Sequence, residues 1–410
     1  MACGRKAGEN DPDGGCILMS IIRRDIGPRP PSRLKTKLSV VRAGRTVPDL
    51  RLELRTGGEF SVFSRVPEEF ESALERLAID AIEPNVFHTA AFTFTALRST
   101  ENTLRLAMIG DAQAGGAMQL DAALPFRIES QAGLGVIRAW AMPDIAYAAP
   151  LIARKSPMAT LDQLFDALGG QLVNLPPVLV FEGLVADGPF MRYARAAAAA
   201  RGLFFRVSAS RRQKILTPAG LTSPSPSADQ RHRWTAMLEK WTSLSGPDGL
   251  AFEMARNPRE IEAHIAMLAP LVDRRGAHAD LEGLGAIARQ LSARDHLRLY
   301  MLKHHGALVA ALWQPVLAGE AWVWQIYVHP DFADHALDEQ LLLRLGEWNP
   351  TDPNIAATRT ASHNSDRLAC SIWPEEEGRA TLIIGLRPEC ERDVDRIAAY
   401  HDEAAQAGSV

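Results

Sequence analysis

Between residues 297 and 348 the spacing of apolar and polar positions lays out strand, turn, strand, turn, strand, loop and helix. Residues 297–302 alternate apolar with polar side chains, and Lys303-His304-His305-Gly306 is a polar turn closed by glycine, the signal of a hairpin. Residues 307–316 continue apolar, Ala318-Gly319-Glu320 turns the chain again, and 321–328 is aromatic and β-branched, as a central strand is. The period then changes. Leu337, Leu341, Leu345 and Trp348 share one helical face, with Asp338, Glu339, Arg344 and Glu347 opposite.

The same patterns place elements along the rest of the chain. A hairpin is expected over 47–63 around Thr56-Gly57-Gly58, and a helix over 67–78 opened by Pro67 with Glu68 and Glu69 at the positive end of its dipole. Further helices are expected at 90–97, 161–168 and 190–200, and strands at 104–109, 118–122, 136–140, 177–181 and 203–207. This alternation is α/β. Ser208-Ala209-Ser210-Arg211-Arg212-Gln213-Lys214, followed by Thr222-Ser223-Pro224-Ser225-Pro226-Ser227, is the clearest shift in composition and reads as a linker or exposed crossover. Five regions follow: a tail over 1–35 expected to be disordered, an N-terminal half over 36–207, the linker over 208–232, a C-terminal half over 233–390, and a charged helix and tail over 391–410. Both halves run helix, helix, strands, helix, strand, helix, strand, with no residue-level repeat.

Composition narrows the class. With 410 residues and 47% hydrophobic content the chain has room for two or three globular domains. A net charge of -4 leaves no electrostatic footprint for nucleic acid, and no apolar run reaches the roughly 18 residues that span a bilayer. The apolar run over 16–22 follows Asp11 and Asp13, lacks a basic start and is short for a signal peptide, so a cytoplasmic location is expected. Cys3, Cys16, Cys370 and Cys390 have no metal-ligand spacing and read as reduced thiols, and no metal is expected.

Several segments carry a resemblance. Glu83-Pro84-Asn85-Val86-Phe87 resembles an E-P-N-x-F motif, Tyr147-Ala148-Ala149-Pro150-Leu151 a D-Y-x-x-P-L turn, and Phe252-Glu253-Met254-Ala255-Arg256-Asn257-Pro258 a strand-to-helix junction. Arg298-Leu299-Tyr300 and the aromatic strand ending at Val328 resemble a central meander. In this order, over 60–390, they are similar to the CelD-like acetyltransferases, GNAT-superfamily proteins linked to cellulose or exopolysaccharide synthesis. The resemblance implies an α/β fold of two tandem GNAT-like (acyl-CoA N-acyltransferase) halves with mixed sheets. It implies acetyl-CoA or another acyl-CoA as donor, and a small-molecule amine or sugar-precursor acceptor on the way to an envelope or exopolysaccharide product. The donor would lie along the backbone of Gln325, Ile326, Tyr327 and Val328, where GNATs splay the sheet. His363 and Asp366 stand where a GNAT places its acid, and histidine is the side chain most easily poised near neutral pH.

Departures fall at the chemistry. A typical GNAT follows this strand with V-x-P-x-Y-R-G-x-G-I-G, whose glycines bring backbone N–H groups to the pyrophosphate at a helix N-terminus. Val328-His329-Pro330-Asp331-Phe332 keeps the frame, but Ala333-Asp334-His335-Ala336-Leu337-Asp338 has no glycine. A carboxylate about 5 Å from a phosphate costs roughly 3 kcal/mol at an effective dielectric near 20, about two orders of magnitude in affinity. Asp334, Asp338 and Glu339 read equally as helix-capping acids. A second motif, G-D-x-x-Y-K-x-x-W, keeps only Asp366 and Trp373, and the family's G-W-K-G finds no match near 273–278. His304 and His305 read as solvated turn residues. His329 and His335 flank the loop without metal-ligand spacing, and Trp313, Trp322 and Trp324 read as core and cleft wall. The alternatives are a catalytically degenerate GNAT-fold binding or assembly factor and a FemAB-like aminoacyl transferase.

Overall fold

The computed structural model describes residues 50–54, 58–98, 103–112, 118–143, 145, 147–170, 173–218, 228–244, 249–273, 281–370 and 372–407. The expected disorder of 1–35, the 219–227 part of the expected linker, and 274–278 lie outside them. β1 (Leu50–Glu53) and β2 (Glu59–Phe63) pair antiparallel. α1 (Glu71–Asp80) follows a 3-10 turn behind Pro67, whose fixed φ suits a helix entrance. After α2 (Ala90–Arg98), the strands β3 (Arg105–Ala112), β4 (Met118–Gln131) and β5 (Leu134–Ala139) run antiparallel. β6 (Leu151–Ile152), α3 (Pro157–Gly169), β7 (Val178–Val185), α4 (Pro189–Ala200) and β8 (Phe205–Leu216) follow.

Next come α5 (Ala228–Leu244), β9 (Leu250–Ala255), α6 (Pro258–Asp273) and α7 (Leu281–Ala293). They lead into the expected meander: β10 (Leu297–His304), β11 (Ala307–Leu317), β12 (Gly319–Val323) and β13 (Gln325–Val328). α8 (Leu337–Trp348), β14 (Ile355–Thr360), α9 (His363–Ala369), β15 (Glu375–Gly385) and α10 (Glu391–Ala407) close the described chain. The apolar face anticipated for α8 is buried through Leu337, Leu341 and Leu345, but its fourth member, Trp348, is 45% exposed at the end of the helix.

One mixed sheet runs through both halves in the order β1-β2-β3-β4-β5-β7-β15-β8-β14-β12-β11-β10-β9. Each half lends a strand to the other. β15 is inserted antiparallel between β7 and β8, while β8 reaches β14 through Leu216 opposite Thr358. The parallel pairs are β5–β7 and β12–β14.

Two sequence expectations change here. Residues 208–216, expected to begin the linker, form the far end of β8. Before the terminal Leu216 their buried positions are polar and find partners on other elements: the Ser208 hydroxyl donates to the Ala398 carbonyl at 2.8 Å, and the Gln213 amide to the Thr360 carbonyl at 2.7 Å. β14, present in the expected order of elements but without assigned residues, likewise buries Thr358 and Thr360, with Asn349 donating to the Thr358 hydroxyl at 2.6 Å. A strand whose inward positions are hydrogen-bonded polar groups has no period-2 apolar signal to read.

The seam between the halves is aromatic and charged. Trp322 on β12 lies 5.6 Å from Phe87 and 4.8 Å from Tyr147, ring to ring. Arg379 of β15, 0% exposed, sits against the rings of Tyr147 and Trp322 at 5.2 and 5.4 Å. Its guanidinium donates to the Gly183 carbonyl at 3.1 Å and to Glu377, which also accepts from Arg359 at 2.7 Å. Arg359 in turn pairs with Glu320 of β12. Burial pulls the Arg379 pKa below the usual guanidinium value, opposed chiefly by the Glu377 charge. An arginine stays charged nonetheless, so this cation depends on its partners.

The two motifs of the N-terminal half meet at this seam. The Tyr147 hydroxyl donates to Glu83 at 2.9 Å and the Asn85 amide to the Ala149 carbonyl at 2.8 Å. Glu83 also accepts the Phe190 N–H at 3.0 Å, at the start of α4, where unsatisfied amides favour an anion. Gly188 allows this approach, since a Cβ there would stand 2.7 Å from the Glu83 carboxylate. Burial still raises the Glu83 pKa. His88, in the same motif and 0% exposed, donates through Nε2 to the Trp140 carbonyl at 2.9 Å.

Two expected outcomes follow from the seam. Arg379→Ala leaves Glu377 underpaired and should lower stability by about 3–5 kcal/mol in denaturant unfolding, while a loss below about 1 kcal/mol would contradict the role of the seam. Burial lowers the His88 pKa from 6.5 to about 4 against the opposing carbonyls of Trp140 and Ala149. Between those values the unfolded chain binds a proton that the folded chain refuses, so stability falls on acidification through this window, by about 3 kcal/mol when complete. Unfolding midpoints measured from pH 7 to 4 should fall less steeply in His88→Gln; an unchanged slope refutes the assignment.

Candidate functional site

β12 keeps its parallel pairing with β14 as far as Val323 and Thr360, and the Ala361 N–H closes it on the Val323 carbonyl at 3.1 Å. At Trp324 the chain steps out. Its N–H donates to the Trp313 carbonyl at 3.0 Å, its ring packs 4.9 Å from Phe92 and 5.8 Å from Trp313, and β13 beyond it pairs with β11 alone. Among the described residues the strand therefore has a second edge with no strand on it.

The ladder fixes which amides use that edge. The His329 N–H donates to the Val309 carbonyl at 2.8 Å, and antiparallel alternation then turns the backbone of Gln325 and Tyr327 toward β11 and that of Ile326 and Val328 outward. Of the four residues expected to contact a donor, Gln325 and Tyr327 are thus engaged in the sheet, and Ile326 and Val328 keep outward backbone groups.

Gln325 and Ile326 border a cavity of about 710 Å³ between the halves. Opposite them stand Arg127 and Glu129 of β4, Arg138 of β5, Glu182 of β7 and Arg211 of β8, with Trp140, Met142 and Ile145 as an apolar wall. Arg138 donates to Glu129 at 3.0 Å and to Glu182 at 2.7 Å. Burial opposes its charge, yet Glu182 and then Glu129 outweigh burial and hold its pKa above the ordinary guanidinium value.

His363, the exposed first residue of α9, lines the same cavity. The Ser362 hydroxyl accepts the Ser365 N–H at 3.1 Å and the Ser365 hydroxyl the Ser362 N–H at 3.0 Å, a capping box that sets where the helix begins. Asp366 does not join His363 there. Its carboxylate accepts the Lys214 N–H at 2.6 Å and the Thr360 hydroxyl at 3.0 Å, tying α9 to β8 and β14. Of the two residues expected to form a proton-transfer pair, only His363 lines the cavity, while Asp366 braces α9. Trp373, the other matched position of that motif, is buried.

The helix that follows β13 starts without glycine but with a glycine-like turn: Ala336 has φ 52° and ψ 41°. An alanine in this left-handed region is strained by roughly 1 kcal/mol. Asp338 accepts the N–H of Glu339 at 3.0 Å, so one amide of the first turn already faces a carboxylate. His305 is an exposed residue of the β10–β11 turn, as expected, whereas His304 is not in the turn: it ends β10, half-buried, with its ring 5.3 Å from that of Phe332. His329 and His335 pack around Phe332 at 5.9 and 6.0 Å and do not line the cavity. Among the described residues no group of three His, Cys, Asp or Glu side chains is arranged for a metal.

Sequence reasoning missed Arg127, Glu129, Arg138, Glu182 and Arg211. Their signal was available as charged residues inside otherwise apolar strand runs, Phe126-Arg127-Ile128-Glu129, Ile137-Arg138-Ala139 and Phe181-Glu182-Gly183. Only the pairing of β4, β5 and β7 brings them to one cavity.

Residues 228–351 match the family described as acetyltransferase (GNAT) domain. No curated protein matches the sequence. A conserved protein of unknown function from Bacteroides thetaiotaomicron VPI-5482 superposes with a TM-score of 0.51 at 10% identity, over 78% of this chain and 98% of its own. FemX superposes with a TM-score of 0.50 at 7% identity, over 80% of this chain and 98% of its own. A tandem GNAT protein from the clavulanic acid biosynthesis pathway is 17% identical over 81% of this chain and 99% of its own, with a TM-score of 0.37. The chain has a mixed α/β fold of two tandem GNAT-like halves, and its residues 228–351 match a GNAT acetyltransferase domain.

Proposed function

We propose that the protein is an acyltransferase that moves an acyl group from a thioester donor such as acetyl-CoA to the amine of a small-molecule acceptor. The observation that carries this reading is the outward edge of β13, with Ile326 at the cavity that also holds His363. In this reading the donor's amides extend the sheet along Ile326 and Val328, which orients the thioester toward the acceptor. An outward N–H polarises its carbonyl. His363 takes the proton of the attacking amine as the C–N bond forms, and the C–S bond breaks to release a thiolate that recovers a proton. Asp366 holds the start of α9 in place for this step. The likeness of the Glu83 and Tyr147 motifs to the CelD-like family favours an envelope or exopolysaccharide precursor as acceptor. A cytoplasmic setting fits a soluble thioester donor.

The start of α8 favours a second reading. Asp338 on a first-turn amide, and Glu339 beside it, disfavour a donor pyrophosphate there. A FemAB-like aminoacyl transferase, whose donor differs, meets this objection and fits the fold shared with FemX. A non-catalytic binding role meets it as well.

Thiol release from acetyl-CoA over a panel of amines tests the first reading. Wild-type protein should release thiol in the presence of its amine, and His363→Ala should lower kcat by about 100-fold or more without weakening acetyl-CoA binding. If wild-type protein neither binds millimolar acetyl-CoA nor releases thiol, the acetyltransferase reading fails.

A further inference from the structure

Among the described residues, the cavity holds more positive charge than its carboxylates engage. Three guanidinium groups line it, Arg127, Arg138 and Arg211, against two carboxylates, Glu129 and Glu182. Both carboxylates bind Arg138. The side chains of Arg127 and Arg211 have no hydrogen bond or ion pair among the described residues, and the buried Nε of Arg127 has no acceptor. Trp140 and Trp324 line the same cavity, are 5% and 3% exposed, and also carry indole N–H groups without an acceptor. Trp313, Trp322 and Trp373 carry indole N–H groups without acceptors too but do not line this cavity, so the unpaired guanidinium groups are what distinguish it. Buried donors left unpaired are unfavourable, and a ligand oxygen relieves them. Forked guanidinium donors match the oxygens of a carboxylate or a phosphate better than any neutral group.

We propose that the cleft between β4–β5 and α9 binds an oxyanion, a carboxylate or phosphate ester carried by the acceptor, through Arg127 and Arg211. That it belongs to the acceptor rests on the acyltransferase reading. There the donor's phosphate end points along β13 toward α8, whereas the cavity borders β13 only at Gln325 and Ile326 and includes no residue of α8. The oxyanion thus lies at the acyl end, beside His363. The acceptor is an amine that bears an acidic group, such as an amino acid or a phosphorylated or uronic amino sugar, and the apolar wall of Trp140, Met142 and Ile145 faces its carbon frame.

Calorimetric titration of the full chain with inorganic phosphate tests the site, with acetate as competitor to separate carboxylate from phosphate recognition. Wild-type protein should bind phosphate, and Arg127→Gln and Arg211→Gln should each weaken it about tenfold. Their melting midpoints should stay at the wild-type value, and Arg192→Gln, on the exposed side of α4, should bind as wild type. Acetate that displaces phosphate marks a carboxylate acceptor; acetate that does not marks a phosphate ester. Equal phosphate affinity in wild type and both variants, or no binding to wild type, overturns the proposal. Acetyl-CoA is titrated in parallel. Variants that lose acetyl-CoA affinity together with phosphate would assign the oxyanion to the donor and overturn the acceptor claim. Phosphate binding without any acetyl-CoA binding in wild type would reject the acyltransferase reading and leave the oxyanion site standing.

Discussion

The insertion of β15 between β7 and β8 is the constraint on which the rest of the structure depends. It makes the sheet continuous, and it carries Arg379 into a dry seam where the cation is held by Glu377, by the Gly183 carbonyl and by the faces of Tyr147 and Trp322. A buried charge of this kind adds little net stability compared with an apolar packing, but it tolerates very few arrangements of its neighbours. Glu320 and Arg359 extend the chain of charges to β12 and β14, so the register of the second half is coupled to that of the first. Neither half has a complete sheet or a complete seam without the other.

The cleft is a consequence of that seam. Trp322 and Trp324, two residues apart, face the same way into aromatic partners from the first half, Phe87, Phe92 and Tyr147. Between them the strand changes its allegiance: β12 belongs with β14, β13 with β11 only. The space opened by this splay is walled on its far side by β4, β5 and β7 of the first half. The open edge of β13 and the charged wall of β4, β5 and β7 therefore come from different halves, and strand exchange fixes the distance between them. The price of such an arrangement is a chain that must close long loops in sequence before its site exists.

Much of this was legible in the residues. The meander over 297–348, the helix faces and the α/β class follow from periods of 2 and 3.6, because those elements bury apolar side chains on one face. The far end of β8 and the extent of β14 were not legible, since Ser208, Gln213, Thr358 and Thr360 are buried polar groups whose partners lie more than a hundred residues away or on elements known only from the fold. Of the residues singled out in the sequence, His363, Gln325 and Ile326 line the cavity. Asp366 does not, because a motif match records that a residue is needed and not whether it is needed for chemistry or for anchoring α9. The guanidinium and carboxylate groups of β4, β5 and β7 were overlooked for the opposite reason: they belong to no motif, and only sheet register gathers them.

The central claim is that the outward edge of β13 receives the donor. Residue-resolved amide hydrogen exchange, with and without saturating acetyl-CoA, tests it most directly. The account predicts that the Ile326 and Val328 amides slow markedly on donor binding while Gln325 and Tyr327, already bonded to β11, change little. Donor binding that protects other segments and leaves Ile326 and Val328 unchanged would contradict it.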